Sequence, residues 1–160
     1  MKHGLDGVDL QIVDLLLCNG RASCAEITRH LDGAASGRAV RYRIERLRSS
    51  GIIHIGAVVN PQAVGFPVMG DVLIEVAPGN LRPIAEQLAA LENVSYVAAS
   101  AGDGDLSIQV YARDNSELLQ FVDEVVGRIE GVLHTRTALV PWKLKDVYEW
   151  RIPAKKRTDA

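Results

Sequence analysis

The sequence predicts an α+β chain in two parts, three short helices followed by strands and helices in the order β-α-β-β-α-β. Three observations predict it. Apolar residues in the first third recur at helical spacing behind capping residues, and five arginines crowd into the last of those segments. After Gly51 the pattern changes to β-branched runs cut by Pro, Gly and Asn.

Asp6 stands before a first helix over 7–18, with Val8, Ile12, Leu15 and Leu16 as its stripe. Asn19-Gly20 ends it. Ser23 opens a second helix with Glu26 three residues on, the pattern of a capping box, and Ile27 and Leu31 form its buried face. Asp32-Gly33-Ala34-Ala35 makes a turn. Ser36 then caps a third helix reaching about Ser49, whose Val40, Ile44 and Leu47 share one face. Gly51 follows, where a left-handed residue closes a helix. Three short helices with a turn before the third form a helix-turn-helix arrangement with the third as recognition helix. Residues 52–59 (IIHIGAVV) predict a strand or wing, so the unit is winged-helix-like. Asn60-Pro61 and Gly65-Phe66-Pro67 break the chain within a linker over 55–67.

The second part begins with a strand over 68–76, Val72, Ile74 and Val76 on one face. A helix over 81–91 carries Leu81, Ile84, Ala85, Leu88 and Leu91. A strand over 94–101, a hairpin turn at Gly102-Asp103-Gly104 and a strand over 105–112 follow. A helix over 115–129 carries Leu118, Leu119, Val122, Val125 and Val126, and a last strand spans 132–140. This order is the split ferredoxin-like βαββαβ pattern. The domains read as 1–54 (helix-turn-helix), 55–67 (linker), 68–152 (ferredoxin-like) and a disordered basic tail, 153–160.

Composition narrows the function classes. An apolar fraction of 48% supports a packed core. No apolar run approaches the ~18–20 residues that span a bilayer. The first residues lack the apolar core of a signal peptide, so the expected place is the cytoplasm, with no membrane partner. Cys18 and Cys24 read as small buried hydrophobes rather than a disulfide framework. His3, His30, His54 and His134 are scattered, so no metal is expected, and no cofactor. No phosphate-binding glycine loop and no paired nucleophile and base are present, which argues against an enzyme. Residues 1–60 carry 8 basic and 6 acidic groups and residues 61–160 carry 10 and 14, giving +2 and −4 within a net charge of −2. A basic front and an acidic back imply two domains with different partners.

The basic charge concentrates in residues 36–51, where Arg38, Arg41, Arg43, Arg46 and Arg48 accompany one acid, Glu45. Such a helix on an acidic chain points to double-stranded DNA. The N-terminal residues of a recognition helix meet base edges first. Behind the Ser36 cap, Gly37, Arg38, Arg41 and Tyr42 are therefore the candidate base readers, and Arg46 and Arg48 the candidate phosphate contacts. Arg43 lies beside the apolar face and reads as a structural ion pair to an acid of the first or second helix. The alternative for the run as a whole is a solvated helix face.

These residues resemble the Lrp/AsnC (leucine-responsive, feast/famine) regulators. The likeness runs through Leu5-Asp6 and Asp9, Asn19-Gly20-Arg21, and Ser36, Val40, Arg43-Ile44, Leu47 and Gly51-Ile52-Ile53. It continues through Asn60-Pro61 and Gly65, Gly102-Asp103-Gly104-Asp105, Gly131-Val132, Thr135-Arg136-Thr137 and Lys143 or Lys145. The resemblance implies a regulator of promoter DNA working as a homo-oligomer, dimer or octamer, that dimerises through its sheets. It also implies a small effector, commonly an amino acid, bound between subunits near Gly102, Asp103, Gly104 and Asp105 and near Ala138, Leu139 and Val140. Glycine-loop N–H groups suit a carboxylate, and Asp103 or Asp105 suits an ammonium. The alternatives are an ordinary hairpin whose aspartates bond their own backbone, and a strand at a dimer interface. The chain departs from the family pattern in its longer turn at Asp32, Gly33, Ala34 and Ala35, and in glycine at 104 where a larger residue is usual. Two other readings compete. Sirohaem decarboxylases share the two-domain plan, but a polyanionic tetrapyrrole wants Arg and His, and the loop at 101–105 is acidic. An effector-binding oligomer with a degenerate DNA domain is the other.

Overall fold

The computed structural model describes residues 4–102 and 104–153. They form two compact units. One holds the described residues through Val58 together with those from Lys145 onward, and the other is Val59–Leu144.

The first unit contains α1 (Gly7–Cys18), α2 (Cys24–His30) and α3 (Gly37–Ser49). Each starts where its cap predicts. Asp6 accepts from the Asp9 N–H at 2.8 Å, and Asp9 accepts from the Asp6 N–H at 3.2 Å. Ser23 and Glu26 repeat the exchange at α2, and Ser36 accepts from the Ala39 N–H at α3. Such caps satisfy donors that a first turn leaves free, each worth about 1 kcal/mol. Gly51 closes α3 with φ +71°, a conformation that side chains resist. Ile12, Ile27, Val40 and Leu47 make the centre of a buried core, and Val13 and Leu31 complete it. Ile152 packs against this core, which groups 145–153 with the helices. The sequence places 145–152 with the ferredoxin-like part and 153 with the tail.

Two expectations for this region are corrected. Residues 52–59 form no strand, because among the described residues no other strand lies alongside to complete a ladder. Cys18 is exposed at the last position of α1, and Cys24 is only half-buried at the start of α2. A helix end pointing to solvent leaves Cys18 outside the core, whereas Cys24 packs against its edge, and both thiols are free.

The second unit is a four-stranded antiparallel sheet in the order β2-β3-β1-β4, with strands β1 (Val68–Val76), β2 (Val94–Ala99), β3 (Leu106–Ala112) and β4 (Val132–Leu139). Helices α4 (Leu81–Ala89) and α5 (Asn115–Gln120) interrupt it in sequence. Pairing Val72 with Ile108 and Ile74 with Leu106 puts the apolar alternates of β1 and β3 on one face. Leu88, Leu118 and Val126 cover that face. Helix and sheet approach tightly at Gly70, where a Cβ would stand 2.7 Å from a methyl of Leu118. Asp71, Leu73, Glu75, Ser107 and Gln109 alternate onto the opposite face.

Several ends differ from the sequence reading. The helix expected over 115–129 is α-helical only to Gln120 and continues as a π-helical turn, Phe121–Val126, closed by the Gly127 N–H donating to the Val122 carbonyl at 2.8 Å. α4 stops at Ala89 rather than 91, where the Leu91 N–H turns back to Leu88. β2 stops at Ala99 because Ser100 belongs to the hairpin, its N–H donating to the Asp105 carbonyl. β3 starts at Leu106 and β4 ends at Leu139, each one residue short of expectation. Asp103 and the tail beyond Pro153 lie outside the described residues.

Candidate functional site

α3 shows how its sequence divides by face. Val40 and Leu47 are fully buried, which turns Arg38, Arg41 and Tyr42 outward. Tyr42 is 69% exposed, and neither Arg38 nor Arg41 has a side-chain partner among the described residues. Gly37 opens the helix against α2, where a Cβ would rest at an ordinary 3.7 Å from Thr28 Oγ1. Arg48 pairs with Glu45 at 3.2 Å, both exposed, a contact worth about 0–1 kcal/mol.

Arg43 and Arg46 behave differently. Arg43 Nη1 donates to both oxygens of Asp6, at 2.8 and 2.7 Å, and to Asp9 Oδ1 at 2.7 Å. Arg46 Nη2 donates to Asp9 Oδ2. The ion pair read for Arg43 is therefore present, and Arg46, read as a phosphate contact, lies in the same cluster. Asp9 is 1% exposed, the one buried charged side chain among the described residues. A lone carboxylate there would be costly, so two guanidiniums and the Asp6 N–H fill its oxygens. That Asp9 would be buried was not legible, because a capping-box acid normally faces water.

The Asp9 N–H, with Arg43 beside it, holds the Asp6 carboxyl below its ordinary value of 3.8. The Ser23 N–H does the same for Glu26, below 4.5. Both folded-state values are depressed, so their stabilisation is complete above the unfolded values and is lost as the pH falls through the folded ones. The helical unit is expected to lose stability on acidification below about pH 4. Asp6→Asn keeps a capping oxygen and removes the titration, so its acid transition, followed by circular dichroism, is expected to flatten. An unchanged acid limb would assign the loss to other groups.

In the second unit the hairpin after β2 is fixed from several sides. Gly102 has φ +132°. Ser100 Oγ donates to the Gly104 carbonyl at 2.7 Å. Asp105 donates its N–H to the Ile74 carbonyl at 2.9 Å, and its Oδ2 accepts from the Val76 N–H at 2.8 Å. The loop is thus stitched to the C-terminal end of β1, and the Asp105 carboxylate bonds a neighbouring strand rather than its own turn. Gly104 is buried, with space for a Cβ at 3.5 Å from that of Leu73.

Ala138, Leu139 and Val140 lie elsewhere. Ala138 pairs with Asp71 and Leu139 with Gly70, and the Val140 N–H donates to the Met69 carbonyl. These are residues of the first half of β1. Gly70 and Glu75 stand roughly 17 Å apart along an antiparallel strand. One chain therefore does not bring the 102–105 loop and the 138–140 segment together.

Sequence reasoning missed the helix-free face of the sheet. There Asp71, Tyr96, Gln109 and Arg136 surround a hollow of about 500 Å³, with Gln109 donating to Asp71 at 3.1 Å. The signal was present in the polar alternates of β1, which had been passed over for the apolar ones. A smaller hollow of about 340 Å³, walled by Val59, Val64, Phe66 and Tyr111, was also missed.

Comparison with known proteins gives these features a frame. Residues 5–54 match the winged helix-turn-helix DNA-binding model, and residues 72–149 match the Lrp/AsnC ligand binding domain. The HTH-type transcriptional regulator FL11 of Pyrococcus furiosus is 35% identical over 141 residues, covering 88% of this chain and 91% of that protein. The structure of E. coli AsnC superposes with a TM-score of 0.79 at 21% identity, covering 90% of this chain and 98% of that one. Transcriptional regulator NMB0573 of Neisseria meningitidis, solved as a complex with L-Met, gives 0.80 at 22%, covering 89% and 93%. A helix-turn-helix unit joined to a ligand-binding sheet unit defines a transcriptional regulator. The chain belongs to the Lrp/AsnC family. Among the described residues no helix is long and apolar enough to cross a membrane.

Proposed function

We propose that this chain binds promoter DNA as a dimer or higher oligomer in the cytoplasm, and that an amino-acid effector modulates the binding. The observation that carries the reading is the division of α3. Among the described residues Arg38, Arg41 and Tyr42 occupy an outward face without side-chain partners, while the arginines behind them hold the helix in place. Gly37, Arg38, Arg41 and Tyr42 read bases behind the Ser36 cap, and Arg48, freed cheaply from Glu45, holds phosphate. Residues 1–54 are the DNA-reading domain, 55–67 connect, and the sheet domain binds effector and oligomerises.

Oligomerisation is supported by the sheet itself. Both helices cover one face, leaving Leu73 and Tyr96 exposed on the other, 37% and 52%. A second subunit that buries this face gives a two-fold pair of recognition helices, matched to half-sites one helical turn apart or a multiple of it. A site using both the 102–105 loop and the 138–140 segment then draws them from different subunits. The L-Met bound to the Neisseria neighbour supports an amino acid as the class of effector.

Fluorescence anisotropy on DNA from upstream of the chain's own gene, against scrambled duplex, tests the reading, repeated with each amino acid. Preferential binding shifted by one amino acid supports it. Equal binding to both DNAs at low and moderate salt counts against it.

Asp105→Asn tests the effector site specifically. The amide oxygen still accepts from the Val76 N–H, but the charge facing an ammonium is gone. Losing a charge-assisted bond of about 1.5–3 kcal/mol is expected to weaken the effector roughly tenfold or more, with apo DNA binding kept. An unchanged response in a titration of the effector would move the site away from this loop.

A further inference from the structure

We propose that Asp9 withholds Arg46, and Arg43 with it, from DNA phosphates, so that these arginines set the presentation of α3 rather than add to its charge. The inference rests on the DNA-binding reading above.

Five arginines on one helix would hold any duplex. Each phosphate contact adds about 0.9 to the slope of log affinity against log salt, regardless of sequence. A regulator needs a high ratio of specific to non-specific binding, and surplus phosphate contacts raise only the second. The structure treats the two flanks of α3 differently. On one flank Arg48 has an exposed partner on its own helix, with side-chain exposures of 54% and 67%, and a pair of that kind opens at little cost. On the other flank Arg46 bonds a carboxylate that is 1% exposed. Taking Arg46 away leaves one oxygen of a water-excluded anion with only the Asp6 N–H, and buried charge left short of partners is expensive. Arg43 is held more firmly still, with side-chain exposure of 24% and three bonds to two carboxylates.

The partners also set geometry. Asp6 and Asp9 cap the first turn of α1 with the same carboxylate groups that receive the arginines. Two guanidiniums one turn apart on α3 therefore fix how far that helix is rolled about its axis against α1. The roll decides where Arg38 and Tyr42 point. Asp9 and Arg46 are positioning residues in this sense.

The test is the salt dependence of anisotropy between about 50 and 200 mM salt for the full chain, on the upstream DNA and on scrambled duplex. Arg48→Gln is expected to lower the slope by about 0.9 per subunit bound, which over that fourfold range is roughly a 3.5-fold change. Arg46→Gln is expected to leave the slope on scrambled duplex unchanged while lowering the ratio of specific to non-specific binding. Asp9→Asn is expected to steepen the slope by up to about 0.9 per subunit and to raise affinity for scrambled duplex. Circular dichroism checks that each variant is folded. If Asp9→Asn does not fold, Arg46→Gln, altered at a partly exposed position, still decides the matter. A slope for Arg46→Gln that falls as far as that of Arg48→Gln overturns the inference and makes Arg46 a phosphate contact. If the unmodified chain binds neither DNA at low salt, the DNA-binding reading fails and takes this inference with it, an outcome distinct from wild-type binding with an altered Arg46 slope.

Discussion

Leu47→Ala is expected to unfold the helical unit under ordinary assay conditions. Leu47 is fully buried on the inner face of α3, among Ile12, Ile27 and Val40. Truncating a buried leucine costs about 2–5 kcal/mol, part lost transfer energy and part cavity. A unit of this size has little to spare, since stability runs near 0.05–0.15 kcal/mol per residue. Small domains also bury a smaller fraction of their surface than large ones. Thermal unfolding followed by circular dichroism is expected to show the helical transition moved far down or absent. The sheet unit has its own core of Val72, Ile108, Leu118 and neighbours, so its transition is expected to remain. DNA binding is expected to be lost with the helices. A variant that melts with the wild type would show that α3 is held by its ion pairs rather than by this core.

Arg38→Ala carries the second large effect, on recognition rather than on folding. Arg38 sits one residue inside the N-terminus of α3, exposed and without a side-chain partner among the described residues. Its removal breaks no side-chain hydrogen bond or ion pair among the described residues, so the fold is expected to stay intact. A bidentate arginine contact to guanine is worth about 1–3 kcal/mol of discrimination. Binding to the specific site is expected to fall by roughly 5- to 150-fold, while binding to scrambled duplex falls only by the loss of one charge. Anisotropy on the two DNAs separates the outcomes. Equal losses on both would make Arg38 a phosphate contact and leave base reading to Arg41 and Tyr42.

Much of the architecture could be read from residues because local signals agreed with the fold. The Asp6 cap and the Ser23 capping box located α1 and α2, and the alternation of Val72, Ile74 and Val76 placed the covered face of β1. The failures share a cause, since each depended on a partner remote in sequence. Residues 52–59 look like a strand, but a strand exists only where a second one accepts its ladder. That Arg46 bonds Asp9 was not visible either, because the partner is a side chain 37 positions away. The π-helical turn depends on a Gly127 N–H reaching Val122, and apolar periodicity does not register one extra residue in a turn. At the candidate effector surface the motifs were visible, but their arrangement was not. Register alone shows that Asp105 joins one end of β1 and Leu139 the other.

The contact between Gly70 and Leu118 constrains how this sequence can drift. Gly70→Ala, coming first, drives a methyl group into a side chain that is fully buried and has no room to retreat. Leu118→Val, coming first, leaves a gap between helix and strand that costs stability until something fills it. Both single steps lead downhill, although the pair together conserves volume. A lineage can cross between the two states only with stability in reserve or by changing both positions at once, so the two codons travel as a unit.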